Sequence, residues 1–326
     1  MTINKTNLNY FRILCCIGVL IYHVMDDILN CGWTVKAIYF SASYCVPGFF
    51  LLSGFLLANK KEYTLKYTIT KSIKIMLKLL GWITFFSVLS YFYNGKFYNI
   101  FYEFYLSAFS TGILPVGWFL FTYCALIFLA YPIFKLLNKN KAYIYALFLL
   151  VILLSSLLGL NIGLKYFKFK TQSTWVGLYF TYFCIGICIN YTISKFAIHK
   201  QKIFRLFCYI SFALFSTIYA YQIFNSVNFF FPDHYYGKFY YTGWLISLFY
   251  LVAFSDYDLI PKKYIDILSK NTLVVYLAHL PILLFITNIR PITSLFEGLF
   301  IILIIFILTN IISELCKRLP LLNKLL

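Results

Sequence analysis

The chain has 326 residues, 62% hydrophobic and 12% charged, with a mean hydropathy of +0.82 and a formal net charge of +18. Repeated apolar runs of about twenty residues exclude a soluble domain, and their continuity, without alternation, excludes a β-barrel. The basic residues are scattered over short loops, so the charge speaks for membrane orientation and gives no support to nucleic-acid binding.

Ten spans are predicted, near residues 8–29, 38–58, 73–93, 116–137, 142–160, 175–194, 203–224, 239–255, 271–289 and 295–316. The expected fold is an all-α integral membrane protein: one transmembrane bundle over residues 1–326 without an appended soluble domain. The first span has no small-residue cleavage site after its apolar core, so it reads as a retained helix and not as a signal peptide. Even parity puts both termini on the same side. Of the 28 Lys and Arg residues, 21 fall on the terminal set of loops and seven on the opposite set, which predicts cytoplasmic termini. Three of those seven, Lys165, Lys168 and Lys170, crowd the discordant loop Asn161–Thr174. The loop Asn94–Pro115, rich in Phe and Tyr around Glu103, suits a helix lying at the membrane surface.

Arg12 and His23 stand eleven positions apart in the first span. That is almost three helical turns, so both project from one face, about 16 Å apart along the axis. A cation and an imidazole in such a helix either face a cavity as a functional pair or act as a snorkelling anchor and an interfacial residue. Asp26 and Asp27 either orient the His23 ring or end the span at the outer surface. In the second span, Ser53 beside Gly54 reads as a nucleophile or as a close-packing pair. Lys71, Lys74 and Lys78 lead into the third span as a positive-inside cluster. Trp118 lines a pocket or anchors the fourth span at the interface.

His279 lies about nine residues into the ninth span, roughly 13 Å from its cytoplasmic end, which puts both span histidines at similar depth. Tyr276 precedes it by three residues and shares its face. The pair belongs to the site or makes interhelical hydrogen bonds. His199, among lysines, reads as a solvated loop residue. Asp233-His234-Tyr235-Tyr236, followed by Tyr240, Tyr241 and Trp244, reads as an aromatic belt, with sugar stacking as the alternative. Nine cysteines, mostly inside apolar runs, contain no Cys-x-x-Cys pair, and no metal-ligand pattern is present in the sequence.

Arg-x10-His in the first span and Pro47-Gly48-Phe49-Phe50-Leu51-Leu52-Ser53-Gly54-Phe55-Leu56 in the second resemble the membrane acyltransferase 3 family of bacterial proteins that O-acylate sugars and surface glycans. The likeness continues in order through Gly117-Trp118-Phe119-Leu120, Pro132, Phe183-Cys184-Ile185-Gly186 and Val275-Tyr276-Leu277-Ala278-His279. The family usually carries arginines and a proline where this chain has Lys71-Ser72-Ile73-Lys74, so positive charge is kept and the bidentate fork lost. The resemblance implies an O-acyltransferase of the bacterial inner membrane, using a cytoplasmic acyl-coenzyme A donor, expected to be acetyl-coenzyme A, and a lipid-linked sugar or polysaccharide acceptor. His23 is then the expected general base and Arg12 its partner near the donor phosphates, with no metal. His279, Tyr276, Trp118, Ser53, Lys71 and Lys74 are the expected substrate-binding residues. A glycan-precursor transporter or flippase is the alternative, with buried Arg and His lining a path.

Overall fold

The computed structural model describes residues 5–60, 62–159, 175–196, 202–225, 235–254 and 260–318. Both chain ends, the loop Asn161–Thr174, His199 and the Asp233-His234 pair lie outside the described residues. Among the described residues the regular elements are helices. These are α1 (Lys5–Asp26), α2 (Trp33–Ser41), α3 (Cys45–Ala58), α4 (Leu65–Asn94), α5 (Ile100–Ser107) and α6 (Trp118–Lys139). They continue with α7 (Tyr143–Gly159), α8 (Trp175–Phe196), α9 (Lys202–Asn225), α10 (Phe239–Ala253), α11 (Lys262–Ile289) and α12 (Leu295–Arg318).

Each predicted span falls on a helix. Among the described residues, seven segments are long and apolar enough to cross a membrane: α1, the α2–α3 stretch, α4, α6 with its leading turn, α9, α11 and α12. α7, α8 and α10 contribute shorter apolar stretches. On α9, Ile203 is 82% exposed and Phe207 62% exposed, surfaces that only an apolar surrounding tolerates along a whole helix.

Three spans differ from expectation. The ninth begins at Lys262, nine residues before its predicted start and directly after Pro261, so His279 stands seventeen residues, about 25 Å, into the helix. The other two each differ for a local reason. The second begins at Trp33 and is interrupted by a 3-10 turn at Ala42–Tyr44. Pro47 has no N–H to give the Ser43 carbonyl, and its ring crowds that oxygen. The freed carbonyl accepts the Tyr241 hydroxyl at 2.9 Å and the Tyr236 hydroxyl at 3.2 Å instead. The third span begins at Leu65, eight residues before its predicted start, because the Thr64 hydroxyl accepts the Tyr67 N–H and caps the helix. Lys66, Lys71 and Lys74 therefore ride on a helix and not on a loop.

The chain divides into two compact units. Unit 1 comprises Met1–Lys60, Asn140–Lys168 and Gly177–Lys270. In it α1 and α3 run antiparallel at close range: a Cβ on Gly18 would sit 2.9 Å from that of Cys45, and one on Gly48 would sit 2.8 Å from the Cys15 sulfur. α3 crosses α8 backbone to backbone, since a Cβ on Gly54 would overlap the Phe183 carbonyl and one on Gly186 the Leu51 carbonyl. α9 and α10 pair antiparallel, with Tyr219 against Trp244 at 5.3 Å and Phe204 against Tyr250 at 5.2 Å. The Asn7 amide donates to the Ala253 carbonyl at 3.3 Å, so the start of α1 meets the end of α10.

Unit 2 comprises Lys61–Lys139, Phe169–Val176 and Asn271–Leu326. α4 and α6 pair antiparallel, with Cys124 at the Ser72 carbonyl and Gly117 against Leu79 and Ser107. The third turn of α11 is tied to the end of α12 by Asn271, whose amide donates to Asn310 at 3.0 Å and Glu314 at 3.1 Å. Its oxygen accepts Ser313 and Lys317. α5 exposes Phe101 and Tyr105, as a surface helix would. Its buried Glu103 accepts the Ile113 N–H at 2.6 Å and draws the following loop inward.

Candidate functional site

The first three turns of α1 carry Asn7, Asn9, Tyr10 and Arg12, and all four side chains reach α10, α11 or the segment between them. The Tyr10 hydroxyl donates to the Ile260 carbonyl at 2.9 Å and accepts the Ile260 N–H at 2.8 Å. Arg12 donates from Nη1 to the Ser269 hydroxyl at 3.1 Å. Ser269 passes its own proton to Asn9 Oδ1 at 2.9 Å, and the Asn9 amide donates to the Asp266 carboxylate at 2.8 Å. Asn9 and Ser269 are buried, whereas Arg12 is half-buried. A relay of hydrogen bonds thus fixes where the guanidinium starts, at a position between buried core and accessible space. Asn9, Ser269 and Asp266 were missed by sequence reasoning; the signal was two asparagines opening an otherwise apolar helix.

His23 is half-buried three turns further along α1. Tyr22 beside it stacks on Tyr39 at 4.6 Å, which makes an aromatic wall at this end of the helix. Asp26 lies beside the Tyr39 hydroxyl. α1 ends at Asp26, and both Asp26 and Asp27 are exposed, as residues closing the span would be. Loss of water, and then the neighbouring Asp26 charge, push the Asp27 carboxyl above its ordinary value.

Ser53 spends its hydroxyl within α3, donating to the Phe49 carbonyl at 2.7 Å. The glycine after it makes the α3–α8 crossing, and the Asn190 amide locks that crossing by donating to the Phe55 carbonyl at 3.1 Å.

In unit 2 four of the singled-out residues fall on one chain of contacts. Lys71 donates to the Tyr123 hydroxyl at 2.7 Å and lies over the Tyr123 ring at 5.0 Å. Tyr123 is parallel to Phe119 at 6.5 Å, and Phe119 packs on Tyr276 at 4.9 Å. The Tyr276 hydroxyl donates to the Val116 carbonyl at 3.0 Å, and its ring lies 5.8 Å from His279. The motif around Trp118 therefore meets the motif around His279. His279 is 1% exposed. Its Nδ1 is 2.6 Å from the Tyr276 carbonyl, an atom that only accepts, so Nδ1 carries a proton. Trp118 is half-buried, 6.3 Å from Phe119. Lys74 is exposed and Lys78 half-buried on the same helix as Lys71.

Tyr235, Tyr236, Tyr240, Tyr241 and Trp244 are buried, Tyr240 the most exposed at 8%, and so form no interfacial belt. They pack around the Ser43 turn, where the Tyr182 hydroxyl also donates to the Tyr236 carbonyl. Cys184 and Cys188 are buried and unbridged. Among the described residues no group of three or more His, Cys, Asp or Glu side chains gathers.

Comparisons with curated proteins and with solved structures gave no match. A family model described as an acyltransferase domain, by contrast, matches residues 5–316, from the first residue of α1 to within two residues of the end of α12. The match runs through both units and takes in the Arg12–Ser269 and Tyr276–Val116 contacts alike. The chain belongs to the acyltransferase 3 family.

Proposed function

We propose that this multi-pass membrane acyltransferase moves an acyl group, in the first instance acetyl, from cytoplasmic acyl-coenzyme A to a hydroxyl of a lipid-linked sugar or surface polysaccharide. The observation that carries the reading is the placement of Arg12 and His23 along α1. The guanidinium is held by Ser269 near one end, and the imidazole stands about 16 Å away, half-buried against an aromatic wall. In this reading Arg12 pairs with donor phosphates, for which its planar fork is suited. His23 takes the proton of the acceptor hydroxyl as the new C–O bond forms. The C–S bond breaks, and the proton passes to the departing thiolate.

For unit 2 the proposed roles are phosphate contact by Lys71 and Lys74, and acceptor contact by Tyr276, His279 and Trp118. Ser53 is a further contact in this scheme. The topology that goes with it has ten spans in a bacterial inner membrane, with both termini in the cytoplasm, and rests on the 21-to-seven distribution of Lys and Arg.

The test is release of coenzyme A thiol by purified protein given acetyl-coenzyme A and candidate glycans. It is paired with mass comparison of surface glycans from a deletion strain and its parent. Acceptor-dependent thiol release and a missing acyl mass are expected. Neither appearing would turn the reading toward transport.

A further inference from the structure

A cavity of about 860 Å3 lies in unit 1 between α7, α8 and α10. Phe148 and Ile152 of α7, Ile185 and Ile189 of α8, and Ile246 of α10 supply much of its wall. Phe148 is 53% and Ile152 48% exposed, so the wall is open to the side, where a membrane helix meets hydrocarbon. Lys238 and Tyr250 both line it, twelve positions apart, so it follows α10 for about 18 Å. That is a slot shaped for a chain and not for a compact polar molecule.

The two ends of the slot differ. Lys238 is the one charged side chain among the described residues that line it. It also stands at the start of α10, where its carbonyl accepts the Thr242 N–H at 3.0 Å. The preceding N–H groups, of Phe239, Tyr240 and Tyr241, belong to the helix start and carry its positive pole. Thr242 lines the cavity too. An ammonium and a helix start together at one end of an apolar slot are complementary to an anion that carries a long hydrocarbon.

We infer that this groove binds a phosphate-headed lipid, with its chain along α10 and its phosphate at Lys238. The phosphate end lies at the same end of unit 1 as His23. Tyr236 and Tyr241, two and three positions from Lys238 in the chain, reach the Ser43 carbonyl with their hydroxyls, and Tyr39 of the adjoining α2 stacks on Tyr22. A sugar carried on such a phosphate would be presented at the His23 end. That last step rests on the acyl-transfer reading; the lipid site itself does not.

The experiment uses the full chain in detergent, with polyprenyl phosphate, phosphatidylglycerol and phosphatidylcholine titrated separately and bound lipid counted by native mass spectrometry. One of the two anionic lipids should bind well ahead of phosphatidylcholine. Lys238→Gln should weaken that lipid by roughly fivefold, the worth of one lysine at an anionic headgroup, while phosphatidylcholine binding stays as it was. Ile246→Trp should fill the slot and reduce binding of either anionic lipid. Should that variant fail to fold, Lys238→Gln decides alone. Preference for polyprenyl phosphate identifies a carrier lipid, and preference for phosphatidylglycerol a bilayer lipid. Phosphatidylcholine binding as tightly as both, or indifference to Lys238→Gln, overturns the inference. Thiol release followed in the same samples keeps the two readings apart, because lipid binding without turnover counts only against acyl transfer.

Discussion

Arg12 of α1 and Ser269 of α11 are joined by a 3.1 Å hydrogen bond between residues 257 positions apart. Behind Ser269 stand Asn9 and Asp266, so the guanidinium rests on a carboxylate through two neutral side chains. The relay fixes one guanidinium nitrogen against α11, and in the acyl-transfer reading the fork it positions is the one that meets the donor phosphates.

Donor affinity should therefore fall in the order wild type, Ser269→Ala, Arg12→Lys, Arg12→Ala. Loss of one positioning hydrogen bond corresponds to roughly two- to tenfold. Lysine keeps the charge and loses the fork, and alanine loses both. Acyl-coenzyme A titrations of folded, detergent-extracted variants measure this. Unchanged affinity in Arg12→Ala would assign the arginine to orientation or packing.

His23→Ala should lower turnover by about 10² to 10⁴ while donor affinity and membrane insertion stay near wild type, since a base acts on the reacting proton and not on the bound donor. Thiol release and donor titration, with protein level checked by blot, separate the two effects. Near-normal turnover would sink the assignment of His23 as base.

Tyr276→Phe removes one of the two donors to the Val116 carbonyl, which keeps the Trp118 N–H, a loss of about 0.5–1.5 kcal/mol in stability. Its turnover should drop less than that of His23→Ala. Thermal unfolding in detergent next to thiol release checks both halves, and a turnover loss equal to that of His23→Ala would move Tyr276 from binding to chemistry.

Gly186→Ala should be among the most damaging conservative changes in unit 1, because its methyl would overlap the Leu51 carbonyl. Overpacking of this kind costs about 1–3 kcal/mol, and here backbone must move to relieve it. Melting temperature and monodispersity after extraction report it. Gly95→Ala, with open space around its Cβ but φ at +73°, should lose only the local cost of the left-handed turn.

The orientation is tested by single cysteines in a cysteine-free chain. A thiol at Lys60 should resist an impermeant reagent applied to intact cells, and one at Lys96 should react. The reverse pattern would invert the topology drawn from the basic residues.

Span positions were legible because lipid imposes a length and an apolar composition on each helix, which a single sequence carries openly. The bend at Ser43 was not, although Pro47 was in plain view; its resolution needed two tyrosines almost two hundred positions away. The early start of α4 turned on a single capping threonine, where a hydropathy window is blind. Arg12 and His23 could be singled out as costly residues in an apolar run. Asn9, Ser269 and Asp266 could not, since small polar side chains become informative only when their partners are known. The tyrosines near Tyr240 were misread as a belt because composition does not tell an aromatic facing lipid from one facing the core.

The long reach of the Arg12 contact also bears on how the protein is made. At ribosomal speeds of about 5–20 residues per second, Ser269 is synthesised on the order of ten to fifty seconds after Arg12. During that interval the first helix is in the bilayer with a guanidinium whose eventual neighbour does not exist. Insertion scales put a mid-helix arginine at roughly 2.5–3.5 kcal/mol, but Arg12 is near the start of α1 and can extend toward the headgroups. Unit 1 is then a structure that closes late, its first helix waiting at the membrane edge for its eleventh.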